Sequence, residues 1–237
     1  KLGVLGPERS FPVWFWDYDN DGALDLYVSS YWTKVGPYVL DLLGGQSNAE
    51  LARLFRGDGR GAFRDVTREV GLTDISITMG ANFGDLDDDG FLDFYLATGF
   101  PDYEALVPNR MYWNRGGKRF ADVTSNGGFG HLQKGHGIAF ADLDEDGDED
   151  VYANMGGAYP GDAFGDALFE NPGGFANHWL KLRLEGRRSN RAGIGARVHL
   201  VLAEDGKKRD VYQTMGEHGS FGTRPFELHL GLGKATK

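Results

Sequence analysis

The chain has 237 residues, of which 37 are Gly and 13% are aromatic, and it contains no Cys. This length allows one large all-β domain or two modest ones, and the Gly and aromatic content suits many short strands joined by tight turns. The lack of Cys excludes disulfides, thiolate zinc sites and thiol nucleophiles, and no apolar run approaches the roughly 18 residues that a membrane-spanning helix needs.

The net charge of −10 is unevenly distributed along the chain. Residues 177–237 contain 12 Lys and Arg against 6 Asp and Glu, whereas residues 1–176 contain 13 against 29. The first part therefore carries a charge of −16, which argues against nucleic-acid binding, and the second part carries +6.

The first predicted element is a hairpin whose loop begins at Asp17. Residues 17–25 read Asp-Tyr-Asp-Asn-Asp-Gly-Ala-Leu-Asp, and apolar, aromatic and β-branched residues on both sides predict two flanking strands. Alternate carboxylates turn toward one centre when such a loop curls, Gly22 permits the sharp turn, and the carbonyl of Ala23 faces inward. This pattern predicts an oxygen cage for calcium.

The same nine-residue pattern recurs at 85–93 and 142–150. An EF-hand would carry Glu at position 12, but these loops have Val28, Leu96 or Ala153 there, so the closing carboxylate comes at position 9. We expect three calcium ions per chain. The predicted ligands, with the carbonyl at position 7, are Asp17, Asp19, Asp21, Ala23 and Asp25; Asp85, Asp87, Asp89, Phe91 and Asp93; and Asp142, Asp144, Asp146, Asp148 and Asp150.

An alternative is that the three loops are acidic turns without a metal, since Asp and Gly favour turns for local reasons. Electrostatic repulsion argues against this. Two carboxylates about 4 Å apart repel by about 4 kcal/mol at an effective dielectric of about 20, so four of them would open the loop unless a cation lay among them. Position 4 of the loop, which is Asp88 in the second copy, is expected to point to solvent.

Two tryptophans distinguish the first copy from the others. Trp14 and Trp16 stand where the later copies have small or polar residues. Two interpretations are open: the indoles fill core space that a missing neighbour leaves, or they form an exposed platform for a sugar ring or a peptide.

The connection from Ser30 to Arg53 contains a near match to the nucleophile elbow over Gly45–Ala49, but that motif needs a preceding strand and later Asp and His partners. Ser47 followed by Glu50 is instead typical of a capping box and predicts one or two helical turns over Ala49–Leu54. We find no grouping of nucleophile, base and orienting residue, so we expect no enzymatic activity.

The loops begin at residues 17, 85 and 142, with spacings of 68 and 57 residues. A third strand follows each hairpin, and a fourth follows at Phe63–Thr67 and Phe120–Thr124, which gives a four-stranded unit of propeller-blade length. These units resemble the FG-GAP (VCBS-type) repeats of calcium-binding β-propellers, as in integrin α-chain heads. The resemblance covers residues 11–176, and it implies that the aspartates at loop positions 1, 3, 5 and 9 and the carbonyl at position 7 hold the ion.

The third copy has no Phe-x-Asp-Val-Thr strand. Instead, Asn177–Gly186 alternates between polar and apolar residues, which predicts a half-buried strand. A basic turn, a strand at Arg209–Thr214 after the turn at Glu204–Gly206, and a closing strand in Glu227–Gly233 follow.

Residues 177–235 resemble the ASPIC/UnbV domain, because a Trp-Leu-x-Leu-x-Leu-x-Gly run precedes Ser-Asn-Arg-x-x-Ile-Gly-Ala. The combination with upstream repeats is that of the cartilage acidic protein family and its bacterial relatives. The stretch Ser220–Pro225 departs from the Ser-Gln stretch of many members. The basic side chains Arg187, Arg188, Arg191 and Arg197 either bind an anion or glycan or face the acidic repeats.

The sequence therefore predicts an all-β chain: a partial β-propeller of three four-stranded repeats (residues 1–176) followed by a small C-terminal β domain (residues 177–237). We expect a non-enzymatic, calcium-binding interaction or adhesion module that acts outside the cytoplasm on a protein or glycan ligand. The alternative is an accessory or catalytic domain acting on polysaccharide, suggested by Trp14, Trp16 and Trp32. Three blades cannot close a circle, so we also expect the chain to be the C-terminal part of a larger propeller protein and to self-associate through the open edge that carries Trp14 and Trp16.

Overall fold

The computed structural model describes residues 2–31, 34–104, 106–204 and 206–235. Its strands form three four-stranded and two two-stranded sheets in this part of the chain. The all-β, propeller-like architecture predicted from the sequence is confirmed. Trp32, and Asp205 in the predicted turn at Glu204–Gly206, lie outside the described residues.

The first sheet is an antiparallel meander in which chain order and spatial order agree. Its strands are β1 (Val13–Trp16), β2 (Asp25–Val28), β3 (Arg53–Gly57) and β4 (Phe63–Asp65). Trp16 pairs with Asp25, so the first aspartate-rich loop closes the β1–β2 hairpin as predicted.

One helix, α1 (Val35–Leu42), lies between β2 and β3. The helical turns predicted over Ala49–Leu54 are wrong, because β3 begins at Arg53 and residues 45–52 have no regular structure. The Ser47 hydroxyl accepts a hydrogen bond from Ala49 N (3.1 Å), but Glu50 accepts one from Glu8 N (2.7 Å) and does not complete a capping box. No helix among the described residues is long and apolar enough to cross a membrane.

The second sheet repeats the first. Its strands are β5 (Thr78–Gly84), β6 (Asp93–Thr98), β7 (Arg110–Asn114) and β8 (Phe120–Asp122), again in chain order. Gly84 pairs with Asp93 as Trp16 does with Asp25, so the second loop occupies the equivalent place at the end of its hairpin.

The third sheet begins in the same way, with β9 (Gly135–Ala141), β10 (Asp150–Met155) and β11 (Ala167–Phe169). The C-terminal segment, residues 177–235, contributes β12 (His178–Leu182), β13 (Arg197–Glu204), β14 (Lys207–Thr214), β15 (Gly222–Thr223) and β16 (Leu228–Gly233). β12 pairs with β16, and β13 pairs with β14. β15 runs parallel to β9 and becomes the fourth strand of the third sheet, at its first strand rather than at its last.

The two tryptophans of β1 lie in the interface between the first and second sheets. Trp14 is 4% exposed and Trp16 is 0% exposed. The Trp14 ring stacks on Tyr27 with centroids 4.3 Å apart, and the Trp16 ring stacks on Phe120 at 5.8 Å. The burial expected by the core-filling interpretation is confirmed, but the space that the indoles fill lies against the second sheet and was not left by a missing neighbour. The exposed-platform interpretation is wrong. Alternation along β1 places both indoles on the face that meets the second sheet.

The opposite face of β1 is exposed at the first end of the arc of sheets. Phe15 is 50% exposed, whereas the residues that stand at the same repeat position, Phe83 and Phe140, are fully buried. Val13 beside it is also 50% exposed. The open edge therefore carries Val13 and Phe15, and the prediction that it carries Trp14 and Trp16 is wrong.

The far end of the arc has a similar exposed face. Tyr152 on β10 is 39% exposed and Leu168 on β11 is 54% exposed. The residues at the same repeat positions, Tyr27 and Tyr95, and Leu54 and Met111, are each 1% exposed or less. In the first two copies these side chains pack against the following sheet, so each end of the arc presents half of a sheet-to-sheet interface. Self-association stays a prediction, now through these end faces.

Candidate metal centres

Each of the three loops gathers carboxylates into a small group. In each group, one oxygen from each of three aspartates lies within 4.8 Å of the others. The groups are Asp17, Asp19 and Asp25; Asp85, Asp87 and Asp93; and Asp142, Asp144 and Asp146. The first two groups use loop positions 1, 3 and 9, whereas the third uses positions 1, 3 and 5.

The backbone of each loop is shaped by two residues with left-handed φ angles. Position 4 is Asn20 (55°), Asp88 (57°) or Glu145 (63°), and position 6 is a Gly in every copy. This curl directs backbone amides at the aspartate in position 1. Asp17 accepts hydrogen bonds from Asp21 N (3.1 Å) and Gly22 N (3.0 Å), so the loop conformation itself orients this carboxylate.

The aspartate at position 9 ties each loop to the third strand of its sheet or to the residues just after it. Asp25 accepts hydrogen bonds from Tyr18 N (3.1 Å) and Gly57 N (2.9 Å). Asp150 does the same with Leu143 N (2.9 Å) and Asn171 N (2.8 Å). Asp25 belongs to the carboxylate group of its loop, whereas Asp150 lies outside the group that Asp142 belongs to, although it makes the equivalent hydrogen bonds.

The aspartate at position 5 holds the residue at position 7. Asp21 accepts a hydrogen bond from Ala23 N (2.8 Å), and Asp89 accepts one from Phe91 N (2.8 Å). Asp146 and Asp148 make the equivalent contact at 3.0 Å. In the first two loops, position 5 lies outside the closest group, and its role as a ligand, like that of the carbonyls at position 7, stays a prediction.

Burial makes it costly to ionise all of these carboxylates together. In the first loop, burial raises the pKa of Asp17 to about 7, although the Arg197 guanidinium partly opposes this shift. Burial also raises the pKa of Asp25 to about 8. In the second loop, burial and the neighbouring aspartates raise the pKa of Asp85 and of Asp93 well above the usual range. A bound cation would remove this cost.

The third loop is more open. Asp144 and Asp146 are exposed. Partial burial opposes ionisation of Asp142, but the Lys181 ammonium outweighs it and holds the pKa of Asp142 below its usual range. Asp142 is therefore ionised more readily than its counterparts Asp17 and Asp85.

Each loop contains one buried carboxylate oxygen that accepts no hydrogen bond from the described residues. These atoms are Asp19 Oδ1, Asp87 Oδ1 and Asp142 Oδ1. A buried anionic oxygen without a donor is costly, whereas a hard cation such as calcium takes six to eight oxygen ligands. The residues present therefore fit a calcium-sized cation in all three loops.

Cationic side chains of the C-terminal segment reach two of the loops. Arg197 Nη2 lies 2.7 Å from Asp17 Oδ2, and Lys181 pairs with Asp142. Of the basic side chains predicted to face the repeats, Arg197 does so, whereas Arg187 and Arg188 are exposed and Arg191 pairs with Glu185 at the surface. The basic segment thus docks on the side of the sheets where the loops lie.

The prediction that Asp88 points to solvent is wrong. Asp88 is 4% exposed, its carboxylate lies 2.5 Å from His229 Nε2, and its carbonyl accepts a hydrogen bond from Gly233 N (2.8 Å). The C-terminal segment covers this loop, which no pattern within the loop could indicate. At the same position of the third loop, Glu145 is exposed as expected.

Two further side chains touch the carboxylate groups and were not predicted. Arg56 lies 2.7 Å from Asp19 and 2.8 Å from Asp21, and Trp113 Nε1 donates a hydrogen bond to Asp87 Oδ2 (3.0 Å). Arg56 and Trp113 occupy the same place in their repeats, two residues after Leu54 and Met111. An alignment of the repeats would have pointed to this position, although not to its contact with the loop.

Comparisons with known proteins agree with this architecture. The FG-GAP-like repeat family matches residues 17–96 and 98–153, and the ASPIC and UnbV family matches residues 186–237. Cartilage acidic protein 1 from Homo sapiens is 30% identical over 146 residues, which cover 60% of this chain and 20% of that protein. The Mus musculus protein of the same name is also 30% identical, over 60% of this chain and 21% of its own length. The chain thus spans about a fifth of the length of these relatives. The sheets, the loops and these matches together show that the chain belongs to the family of FG-GAP-like repeat proteins, with an ASPIC/UnbV domain at its C-terminal end.

Proposed function

We propose that this chain is a calcium-stabilised, non-enzymatic interaction module that acts outside the cytoplasm. The observation that carries the proposal is the threefold recurrence of a carboxylate group with one buried oxygen lacking a donor. A turn that merely reverses the chain gains nothing from such an arrangement, whereas a metal site requires it.

The proposed ligands are the aspartates at positions 1, 3, 5 and 9 and the carbonyl at position 7 of each loop. Calcium would supply positive charge at the point where burial opposes ionisation of the carboxylates. Position 1 is already oriented by backbone amides, as in Asp17, which lowers the cost of assembling the site.

An interaction role is supported by the family and by the placement of the acidic side chains. A retaining glycosidase needs two carboxyl groups about 5 to 5.5 Å apart in a cleft, and the grouped carboxylates here belong to the proposed calcium loops. The polysaccharide alternative loses its support from Trp14 and Trp16, since both are buried, and Trp32 lies outside the described residues.

The proposed location follows from the calcium chemistry. Sites of modest affinity are filled at the millimolar calcium concentration found outside cells. The relatives carry the name cartilage acidic protein, which agrees with a protein or glycan of the extracellular matrix as ligand. We place the boundary between the repeats and the C-terminal domain at residues 176 and 177.

The test is calorimetry with and without calcium. With an affinity near 10 μM and about 1 mM free calcium, each site stabilises the fold by about 2.7 kcal/mol, so chelation is expected to lower the melting temperature by roughly 15 to 30 °C. Titration is expected to give a stoichiometry near three. An unchanged melting temperature after chelation, or no calcium binding, would contradict the proposal.

A glycan array screened with and without calcium separates the two kinds of ligand. Binding to a polysaccharide that persists in a chelator would argue against the calcium-dependent module. Calcium-dependent binding to an immobilised matrix protein, measured separately, with no signal on the glycan array, would support the calcium-dependent module.

A further inference from the structure

A cavity of about 390 Å³ lies between the second and third sheets, beside the second loop. Its walls include Met111, Trp113, Phe129, Val151 and Phe169. Ligand sites in proteins are typically concave, mostly apolar and at least about 300 Å³ in volume. The cavity therefore has the size and lining of a small-molecule site.

The repeat itself shows what the cavity lacks. Between the first and second sheets, the equivalent space is filled by Tyr18, which is 3% exposed and packs against Phe120 with ring centroids 5.9 Å apart. The residue that follows the first aspartate is Tyr18 in the first loop but Leu86 in the second. One aromatic ring is thus absent from the second sheet's side of the cavity.

The third sheet's side of the cavity is also reduced. The residue after the aspartate at position 9 is Phe94 in the second sheet and Val151 in the third. Phe120 of β8 has no counterpart, because the third sheet contains no strand beside β11 in that place among the described residues. The space that aromatic rings occupy in one interface is therefore open in the other.

The C-terminal segment fills only the inner part of this interface. Asn82 donates a hydrogen bond to Thr223 O (2.9 Å) and accepts one from Gly219 N (2.7 Å). Asn82 holds the repeat position that Trp14 holds in the first interface. The Arg224 guanidinium lies 2.8 Å from Glu149. The outer part, next to Leu86, is left as the cavity.

The charge of the lining limits what can enter. Among the described residues that line the cavity, the charged side chains are the carboxylates Asp87, Asp93 and Glu170. Calcium bound in the second loop would compensate the charges of Asp87 and Asp93, which leaves Glu170 as the charge that repels an anion. The Trp113 and Phe175 rings lie in a T-shaped arrangement, with centroids 6.1 Å apart, and rings so arranged offer edge and face contacts to a third ring.

We propose that this cavity binds a small aromatic molecule, neutral or cationic, whose ring takes the place that Tyr18 occupies in the first interface. The site depends on the fold of the second and third sheets and goes beyond the proposed calcium-dependent interaction. Its test is therefore made in saturating calcium, where failure would leave the calcium proposal standing.

The experiment is a titration of the calcium-saturated chain with indole and tryptamine, followed by calorimetry and by the NMR signal of the Trp113 indole N–H. Saturable binding and a shift of that signal are expected for both compounds. Indole-3-acetate is expected to bind at least about tenfold more weakly than tryptamine, because the two ligands carry opposite charges and Glu170 keeps its negative charge in saturating calcium.

Filling the cavity is expected to abolish binding. Leu86→Tyr restores the residue of the first loop, and affinity for indole is expected to fall at least about tenfold with no loss of thermal stability. Leu143→Tyr is the matched control, because Leu143 holds the same loop position in the third copy and is 50% exposed. This control is expected to bind indole as the unchanged chain does.

Val151→Phe provides a second filling variant if Leu86→Tyr does not fold. The proposal is overturned if neither indole nor tryptamine binds at millimolar concentration, or if a folded filling variant binds indole as tightly as the unchanged chain. Binding that leaves the Trp113 signal unmoved also overturns it, since the ligand would then lie elsewhere.

Discussion

Replacing Arg224 with Met tests how much the ion pair between the C-terminal segment and the repeats contributes to stability. Arg224 Nη2 lies 2.8 Å from Glu149 Oε1, and the two side chains are only 6% and 3% exposed. The other oxygen of Glu149 accepts a hydrogen bond from Asp85 N (2.8 Å). Arg224→Met leaves a buried carboxylate next to the second loop without its cation.

The expected loss is large because the pair is buried. Removing one partner of a buried ion pair costs about 3 to 5 kcal/mol. For a chain of this size, each kcal/mol corresponds to roughly 2 to 4 °C in melting temperature. Arg224→Met is therefore expected to lower the melting temperature by about 6 to 20 °C.

Differential scanning calorimetry in saturating calcium measures this loss. Arg191→Met is the control, because Arg191 and Glu185 form a pair whose side chains are 86% and 65% exposed, and such surface pairs contribute at most about 1 kcal/mol. Adding Glu149→Gln to Arg224→Met is expected to recover part of the loss, since it removes the uncompensated charge. If Arg224→Met melts like the control, or if the two changes are simply additive, the reasoning is refuted.

Three further predictions concern the loops and the open faces. Asp89→Ala is expected to weaken calcium binding at the second loop. Asp88→Ala is expected to destabilise the fold by about 1 to 3 kcal/mol through its lost contact with His229 and to leave calcium affinity nearly unchanged. Calcium titration and denaturant unfolding of both variants separate these effects, and equal losses of affinity would contradict the assignment of Asp89 as a ligand. Arg197→Met is expected to raise calcium affinity at the first loop roughly tenfold, because the Arg197 guanidinium contacts Asp17 and would repel a divalent ion held there. A unit charge and a divalent ion about 6 Å apart repel by about 1.4 kcal/mol at the dielectric of water, and calorimetry that shows weaker binding would count against this prediction. The chain is expected to self-associate in light scattering, and Phe15→Lys is expected to reduce this, so a monomer at high concentration would rule out the exposed face as a contact.

Much of the fold could be predicted because the residues that form each repeat are nearly contiguous in the sequence. The loop at Asp17–Asp25 and its copies lie between strands that pair with each other, so pattern and structure are local. The same alternation places Trp14 and Trp16 on one face of β1. What the pattern could not supply was the face that remains open, because this depends on which neighbouring sheet is present.

The predictions that are wrong concern contacts between residues that are distant in the sequence. Asp88 is buried by His229, 141 positions away, and a loop pattern contains no information about such a partner. Glu50 fits a capping box by its position after Ser47, but its carboxylate accepts a hydrogen bond from Glu8 N. The pairing of Gly222 and Thr223 with β9 involves only two residues, too few to produce a recognisable strand pattern.

The parallel pairing of β15 with β9 sets when the third sheet can be completed as the chain leaves the ribosome. The first and second sheets are each built from consecutive strands, so each can form as soon as its own residues have emerged. β10 ends at Met155 and β15 begins at Gly222, so the third sheet must wait while 66 further residues are synthesised. During that interval the inner edge of β9 exposes unpaired backbone groups, which invite pairing with other chains. A segment that is made 66 residues later therefore protects the edge of β9.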